Sequence, residues 1–445
     1  RIEASGRIQN MIPYLLLDSA AAARVAHGID IKTSGQADLS LGNQYLAGDS
    51  HPELTGKVTW DMAVSGKVTD LSTLEPTGTI VIRGATYTDD LLPEPIKRFD
   101  ADLIVTRDTI TINQLDVEFP SSDLSLTGKL AKPFPNLLPF EGIEYNPYRK
   151  PTLDFQLTSH RFNTDKLFPE AVPGAEPAPP ADTAIVAEQP ASPKTPPAVS
   201  PVILPDINGR GTIAVDTLVY SAINFTDIAA SVRIQDRKIE VYDASAVVYE
   251  GGVTGTTTIA LNDPTVPVYT GRFEATQIQA SPFVKQFTPL TDQITGRMDF
   301  TGNYQSTGTD KQQLKETLEL NANLSIRDGQ FEASDMTYKV TSSVANTLGE
   351  KLDRTQNFKD LVTKVAVEDG KVKADRLKTS LGNIGDLTLD GYYGFDGKLD
   401  YSGSILLSRD WSKKLLSKNN LLGGFADMLS GGSAERIKLP LAITG

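Results

Sequence analysis

The segment "SVRIQDRKIEVYDASAVVYEGGVTGTTTIAL", Ser231 to Leu261, decides the reading of the fold. Ile234, Ile239, Val241 and Val247 keep an apolar period near two between polar neighbours, as strands do when one face is dry and the other wet. "QDRK" and "EGG" interrupt that period where the chain must reverse, so the segment predicts antiparallel hairpins joined by tight turns, the double glycine supplying one of them. No cluster of reactive side chains accompanies the turns.

The same grammar runs outward in both directions. Upstream, "TGTIVIRGATY" and "RFDADLIVTRDTITINQLDVEF" alternate through Ala101, Leu103, Val105, Ile110 and Ile112, with "TRDTI" as a tight connection. Downstream, "GRGTIAVDTLVY" and "YTGRFEATQIQ" continue it without a constant repeat length. Between the two blocks lies "PGAEPAPPADTAIVAEQPASPKTPPAVSP", Pro173 to Pro201, whose proline removes backbone donors and favours unpacked extended chain. The expected organisation is a β-rich segment over 1–170, a Pro/Ala-rich linker or disordered insertion over 171–204, and a second β unit over 205–445.

Short helices are expected to interrupt the strands rather than alternate with them, which excludes a doubly wound fold. The candidates are Leu15–Ala26; "SPFVKQF", with Ser281 as cap and Pro282 at the first helical position; "SDMTYKVTSSVANTLG"; "DRTQNFKDLVTKV"; and "SKKLLSKNNLLGGFADMLSG", bent at Gly423 and Gly424. The last lies against a sheet edge or a membrane surface. The fold class expected is mainly β with short helices covering sheet edges or ends.

Composition removes several functions. Without cysteine among the 445 residues there is no thiolate nucleophile, disulfide or Cys-bearing metal site. A net charge of -13 opposes a broad nucleic-acid surface. "MIPYLLLDSAAAARVAHG" is broken by Pro13, Asp18 and Arg24 and is too polar to cross a membrane. His27, His51 and His160 stand far apart in no metal-binding spacing, and acidic pairs such as Asp89–Asp90 and Glu368–Asp369 read as solvated turns. "YEGGVTG" lacks the spacing of a phosphate cradle, and a GxSxG elbow is missing. Accordingly no catalytic residue, metal ligand or cofactor is assigned, and a non-enzymatic protein is expected. Because "RIEASGRIQN" starts inside a strand-like pattern, an anchor or export signal is expected upstream of it.

Taken in order, "DIAASVRIQDRKIEVYDASAVVYEGGVTGTTTIAL", "SPFVKQF", "ITGRMDFTGNYQSTG", "LNANLSIRDGQFEASDM", "FKDLVTKVAVEDGKVKADRLKTSLGNIGDLTLDGYYGFDGKLDY" and the closing "IKLPLAITG" resemble the AsmA family over about 205–445, with the strands before the linker extending the likeness. The resemblance implies a Gram-negative envelope protein, anchored in the inner membrane by an N-terminal helix absent from this chain and projecting into the periplasm. It also implies an elongated, curled antiparallel sheet forming an apolar groove, as in bridge-like lipid-transfer proteins. The partners implied are phospholipid or another acyl lipid, the inner and outer membrane surfaces, and envelope proteins. The groove-lining candidates are Val232, Ile234, Ile239, Val241, Val247, Ile259, Leu324, Ile326, Leu387, Leu389 and Leu399. Alternation fixes that these share a dry face but leaves open whether that face is a groove or a closed core. The competing reading is a periplasmic structural or assembly module acting on outer-membrane protein biogenesis.

Overall fold

The computed structural model describes residues 2–9, 28–46, 52–67, 70–90, 92–134, 149–169, 206–263, 265–287, 293–332, 353–418 and 436–444. They form one long, open, curled sheet of 20 strands with a few short helices, and 72% of the described residues are strand. The first eight strands are β1 (Ile2–Ile8), β2 (Gly28–Asp38), β3 (Glu53–Lys67), β4 (Asp70–Thr88), β5 (Ile96–Val105), β6 (Thr109–Glu118), β7 (Asp123–Ala131) and β8 (Thr152–Asn163). Six more come after the proline-rich stretch: β9 (Asn208–Tyr220), β10 (Ile223–Gln235), β11 (Lys238–Val248), β12 (Gly251–Ala260), β13 (Val268–Gln279) and β14 (Ile294–Thr307). The last six are β15 (Glu319–Glu332), β16 (Thr355–Glu368), β17 (Lys371–Leu381), β18 (Gly385–Gly394), β19 (Leu399–Leu407) and β20 (Lys438–Thr444).

Each strand pairs with the next in sequence, so the sheet is a meander from β1 to β20. All of these pairings are antiparallel except one: β8 and β9 run parallel, in register from Thr152↔Asn208 to Asn163↔Val219. A parallel pair cannot be joined by a hairpin, because the chain leaving the end of β8 must return to the start of β9. The proline-rich segment occupies that crossover, and its own residues lie outside those described. The sheet therefore continues across the boundary expected between the two β units.

Tight reversals come from loop residues at positive φ. The two-residue connections Ser221–Ala222, Asp236–Arg237, Tyr249–Glu250 and Asp369–Gly370 all place both residues in the left-handed region, the mirror-image turn whose twist matches that of the strands. The "EGG" turn is thus made by Tyr249 and Glu250. Gly251 already belongs to β12, where a Cβ would lie 2.6 Å from the backbone of residues 276 and 278. Its role is close approach rather than reversal.

The curl has a recurrent local cause. Gly84 in β4, Asp243 in β11, Gln277 in β13 and Arg376 in β17 each have positive φ where the register slips by one residue. Such bulges bend the strand and increase its twist. At three of them the neighbouring strand supplies a carboxylate for the freed amide: Gly84 N–H donates to Asp100 at 2.6 Å, Gln277 N–H to Asp299 at 2.9 Å and Arg376 N–H to Asp390 at 2.7 Å.

The described helices are few. α1 (Thr164–Leu167) comes directly after β8, α2 (Ala280–Phe287) joins β13 to β14, α3 (Lys311–Glu316) joins β14 to β15, and α4 (Arg409–Lys418) comes after β19; a 3₁₀ turn spans Leu39–Tyr45. α2 begins one residue before the expected cap, leaving Pro282 in the first turn, where its missing N–H costs nothing. "DRTQNFKDLVTKV" is not a helix. It forms most of β16, because Leu361, Thr363, Val365 and Val367 carry a period of two that two flanking strands satisfy, and this tertiary pairing overrides the helical spacing. α4 covers the end of the sheet, with Trp411 packed on Leu407 and Ile437. The remainder of that expected helix, the candidates at Leu15–Ala26 and "SDMTYKVTSSVANTLG", and His27 and His51 all lie outside the described residues. None of the described helices is long and apolar enough to cross a membrane.

Candidate functional site

Residues directly opposite each other across neighbouring strands point to the same side of a sheet, so the register identifies its faces. One such row runs Trp60, Ile80, Leu103, Ile112, Gly128, Phe155, Gly211, Val232, Val241, Thr257, Gly271, Tyr304, Leu320, Val367, Val372, Tyr393 and Leu399. From β3 to β19 the row contains no charged residue, and Thr257 is its one residue without a hydrocarbon or aromatic body or a bare backbone. At about 4.8 Å per strand it extends about 75 Å along the hydrogen-bonding direction.

Two glycines in this row are filled by their neighbours. Phe155 lies over Gly211 and the Tyr304 ring over Gly271, each 2.5–2.6 Å from where a Cβ would stand. The large ring takes the space that the missing side chain leaves, so the face stays smooth. These rings, with Trp60 and Leu320, belong to the face although the alternation near Ser231–Leu261 does not reveal them. The available signal is a glycine on a strand whose neighbour carries an aromatic residue, readable only once the register is known.

The register brings Val232, Ile234, Ile239, Val241, Ile259, Leu324, Ile326, Leu387, Leu389 and Leu399 to this one face. Val247 does not join them. It pairs with Gly252 on the opposite face and is 39% exposed, since Asp243 inserts an extra residue that shifts the parity of β11 between Val241 and Ala244. Unbroken alternation is the wrong assumption at that bulge.

Burial then separates two parts of the face. Ile278, Met298, Ile326, Phe358 and Leu361 are at most 8% exposed and form a packed core with Ala280 of α2. Phe283 of α2 meets Phe300 edge-on with centroids 6.0 Å apart, and Phe300 meets Phe273 at 5.1 Å. Elsewhere, Ile234, Ile239, Val241, Ile259, Leu387, Leu389 and Leu399 are only half-buried. Ile223 and Val248 join the same core, and Val232 is 4% exposed, so the dry face is closed along one end from β10 to β16 and at Val232, and partly open elsewhere. Within the open part the Thr257 and Tyr304 hydroxyls meet at 2.7 Å across Gly271, the polar crossing in an otherwise apolar row.

The opposite face is polar and laced with cross-strand pairs such as Arg83–Asp102, Arg210–Asp154 and Arg233–Glu240. Concavities on this side are floored by Thr256, Thr270, Asn303 and Asn321, and by Glu118, Ser125 and His160. Asp123 accepts the amides of His160 and Arg161 there; burial pushes its carboxyl up, but those amides and the His160 ring outweigh it and hold the carboxyl below its usual range. Among the described residues, no group of three or more His, Asp or Glu is placed to hold a metal ion.

A model of the AsmA family matches residues 108–377, which is more than half of the chain. The chain belongs to the AsmA family. That match starts in the β5–β6 connection, spans the parallel β8–β9 pair and ends in β17, so it reaches further upstream than the 205–445 resemblance and leaves the closing "IKLPLAITG" outside. No curated protein and no solved structure matches the chain.

Proposed function

We propose that this AsmA-family protein carries phospholipid or another acyl lipid within a Gram-negative cell envelope, without covalent chemistry, by laying acyl chains along the apolar face of its sheet. It stands in the periplasm, held at the inner membrane, between the two membrane surfaces. The observation that supports this reading is the apolar row from Trp60 to Leu399, continuous across the parallel seam and half-open over most of its length.

The magnitudes suit transport. Each methylene removed from water gains about 0.8 kcal/mol. Ten methylenes with half their surface against the wall would gain about 4 kcal/mol, equivalent to a millimolar dissociation constant. Binding of that strength holds a chain on the face yet lets it move on, and a uniform wall offers no deep well in which it would stop.

Native mass spectrometry on gently purified protein, with identification of extracted lipid, tests the reading. Bound lipid should be lost when Ile234, Val241 and Leu389 are replaced by Asp while circular dichroism keeps its β signature. Lipid-free protein across gentle preparations would reject it.

A second reading rests on the sheet edges. Among the described residues β1 and β20 each pair on one side only, and each therefore offers a row of backbone donors and acceptors to a partner strand. A periplasmic assembly module for outer-membrane proteins would use such an edge. In that case charged substitutions on the apolar face would leave function intact, and prolines in β1 or β20 would abolish it.

A further inference from the structure

α2 and α3 leave opposite ends of β14 and both fold onto its apolar face. α2 covers Met298 and reaches Phe300 through Phe283. α3 covers Ser306, whose hydroxyl donates to the Leu314 carbonyl at 2.7 Å. From Phe300 to Ser306 is about 20 Å along a strand. Between the two helices only Gly302 and Tyr304 present the face, and Tyr304 is the ring tied to Thr257.

α3 also makes two contacts far along the sheet. Lys311 Nζ lies 2.9 Å from Asp165 Oδ1 and 5.4 Å from the centre of the Tyr220 ring, at the α1 and β9 end of the neighbouring block. Lys315 Nζ stands 4.9 Å from the centre of the Phe395 ring, in the β18–β19 turn. Between β9 and β14 there are five strand-to-strand steps, about 24 Å in a flat sheet, and the register sets Ser306 level with Gly209, so Tyr220 lies about 36 Å further along β9. Only a curled sheet brings these groups together. Because α3 sits on the apolar side of β14, the circuit β9 to β14, closed through Lys311 and Asp165, encloses the apolar face. Asp165 is fixed independently of Lys311, since its two oxygens accept the Ser221 and Ala222 amides at 2.8 Å each. Losing the lysine leaves that carboxylate satisfied, and opening the circuit does not strand a buried charge.

We propose that α3 is a clasp over the β14 constriction, and that acyl chains gain the stretch at Tyr304 and Leu320 only when Lys311 parts from Asp165. The proposal rests on the lipid-carrying reading above and adds where that path is controlled. The Lys311–Asp165 pair keeps about a quarter of each side chain exposed, at 23% and 28%, which suits reversible opening better than a sealed core would.

The chain has no cysteine, so an Asp165→Cys, Lys311→Cys pair can be joined specifically by a short bis-methanethiosulfonate linker and released with reductant. A photoreactive benzoylphenylalanine is placed at Leu320, which pairs with Tyr304 at the border of the constriction, or at Leu103, on the remote open face. The protein is then irradiated with phosphatidylethanolamine–phosphatidylglycerol vesicles and lipid adducts are counted. Linking should lower adducts at Leu320 at least tenfold, leave those at Leu103 unchanged, and be reversed by reductant. Lys311→Ala without a linker should raise adducts at Leu320 about threefold, an effect that mere distortion by the linker cannot produce. Equal adducts at Leu320 in linked, released and Lys311→Ala proteins, with adducts present at Leu103, overturn the clasp and leave the conduit standing. No adducts at either position in any state overturn both.

Discussion

The strands before the parallel seam and those after it share one alternating pattern and one continuous apolar row, yet they treat that row differently. In β4–β7 the fully buried apolar residues are Ala85, Ala101, Val105 and Leu130, small or marginal, and the described elements place no long helix over them. In β13–β16 Ile278, Met298, Ile326 and Phe358 are buried to 4% or less under α2. The strands do not cause this difference. It arises from the connection between β13 and β14, which is long enough to fold a helix back onto the face instead of turning at once. Alternation creates a dry face, and the length and composition of one loop decide whether it becomes core or remains available.

The sharpest way to break that comparison is to place a charge in each region. Met298→Asp should destabilise by about 4 kcal/mol or more, because an unpaired carboxylate would be buried where Met298 is 0% exposed. Leu103→Asp, on the half-buried open face, should cost about 1 kcal/mol. Urea unfolding of both variants measures the difference, and equal losses would mean that the two regions are equally closed.

Removing the cover is the next largest change. Phe283→Ala should cost about 2 kcal/mol, below the usual range for a fully buried phenylalanine because this ring is only partly covered. Hydrogen exchange should rise in β14 and stay unchanged in β5. A uniform rise along the sheet would instead show that α2 holds the whole fold rather than one closed stretch.

A smaller effect is expected at the filled glycines. Gly211→Ala and Gly271→Ala would each set a methyl group within 2.7 Å of the Phe155 or Tyr304 ring and of a backbone oxygen, that of Phe155 or of Thr256, at a cost of about 1–3 kcal/mol as ring and strand both shift. Pairing Gly211→Ala with Phe155→Leu should recover part of the loss. If the double variant is no better than the single one, the Phe155 carbonyl rather than its ring sets the cost.

The mildest effect lies at the far edge of the second block, where Ser380 and then Arg436 hold the Asp386 carboxyl below its ordinary value. A carboxyl depressed in the folded state contributes stability above the unfolded value near about 4 and loses it as pH falls through the lower folded value. Proteolysis of β20 should therefore quicken below about pH 4 and become insensitive to acid in Asp386→Asn. Unchanged acid sensitivity in that variant would assign the effect to another group.

Much of this is legible in the sequence because a period of two needs no long-range information. Ile239 and Val241, or Leu387 and Leu389, announce a shared face wherever they pair. Val247 escapes that logic because a bulge at a non-glycine residue leaves no local mark: Asp243 adopts positive φ to suit its neighbours. β16 reads as a helix in isolation because Phe358, Leu361, Val362 and Val365 also fit helical spacing, and only the partners on either side decide between the periods. The parallel seam is hidden for a related reason, since a proline-rich connection reveals neither its endpoints nor its direction. Tyr304 gives no signal of its own because its significance lies in Gly271 on the adjoining strand, at a separation fixed by the register alone.

The meander has a consequence for how such a chain is assembled and lengthened. Where the connection is a tight turn, as from β9 to β12 and from β16 to β19, ordering one hairpin spends little loop entropy and presents an edge for the next. Stability then approaches a sum of nearest-neighbour interfaces, as in a solenoid. A hairpin can be added or deleted in pairs of strands without reversing the direction of the strands downstream of it, while the single crossover is the place where an odd number is accommodated. The molecule is, in effect, a ruler whose length is set by the number of hairpins and whose one splice sits between Asn163 and Asn208.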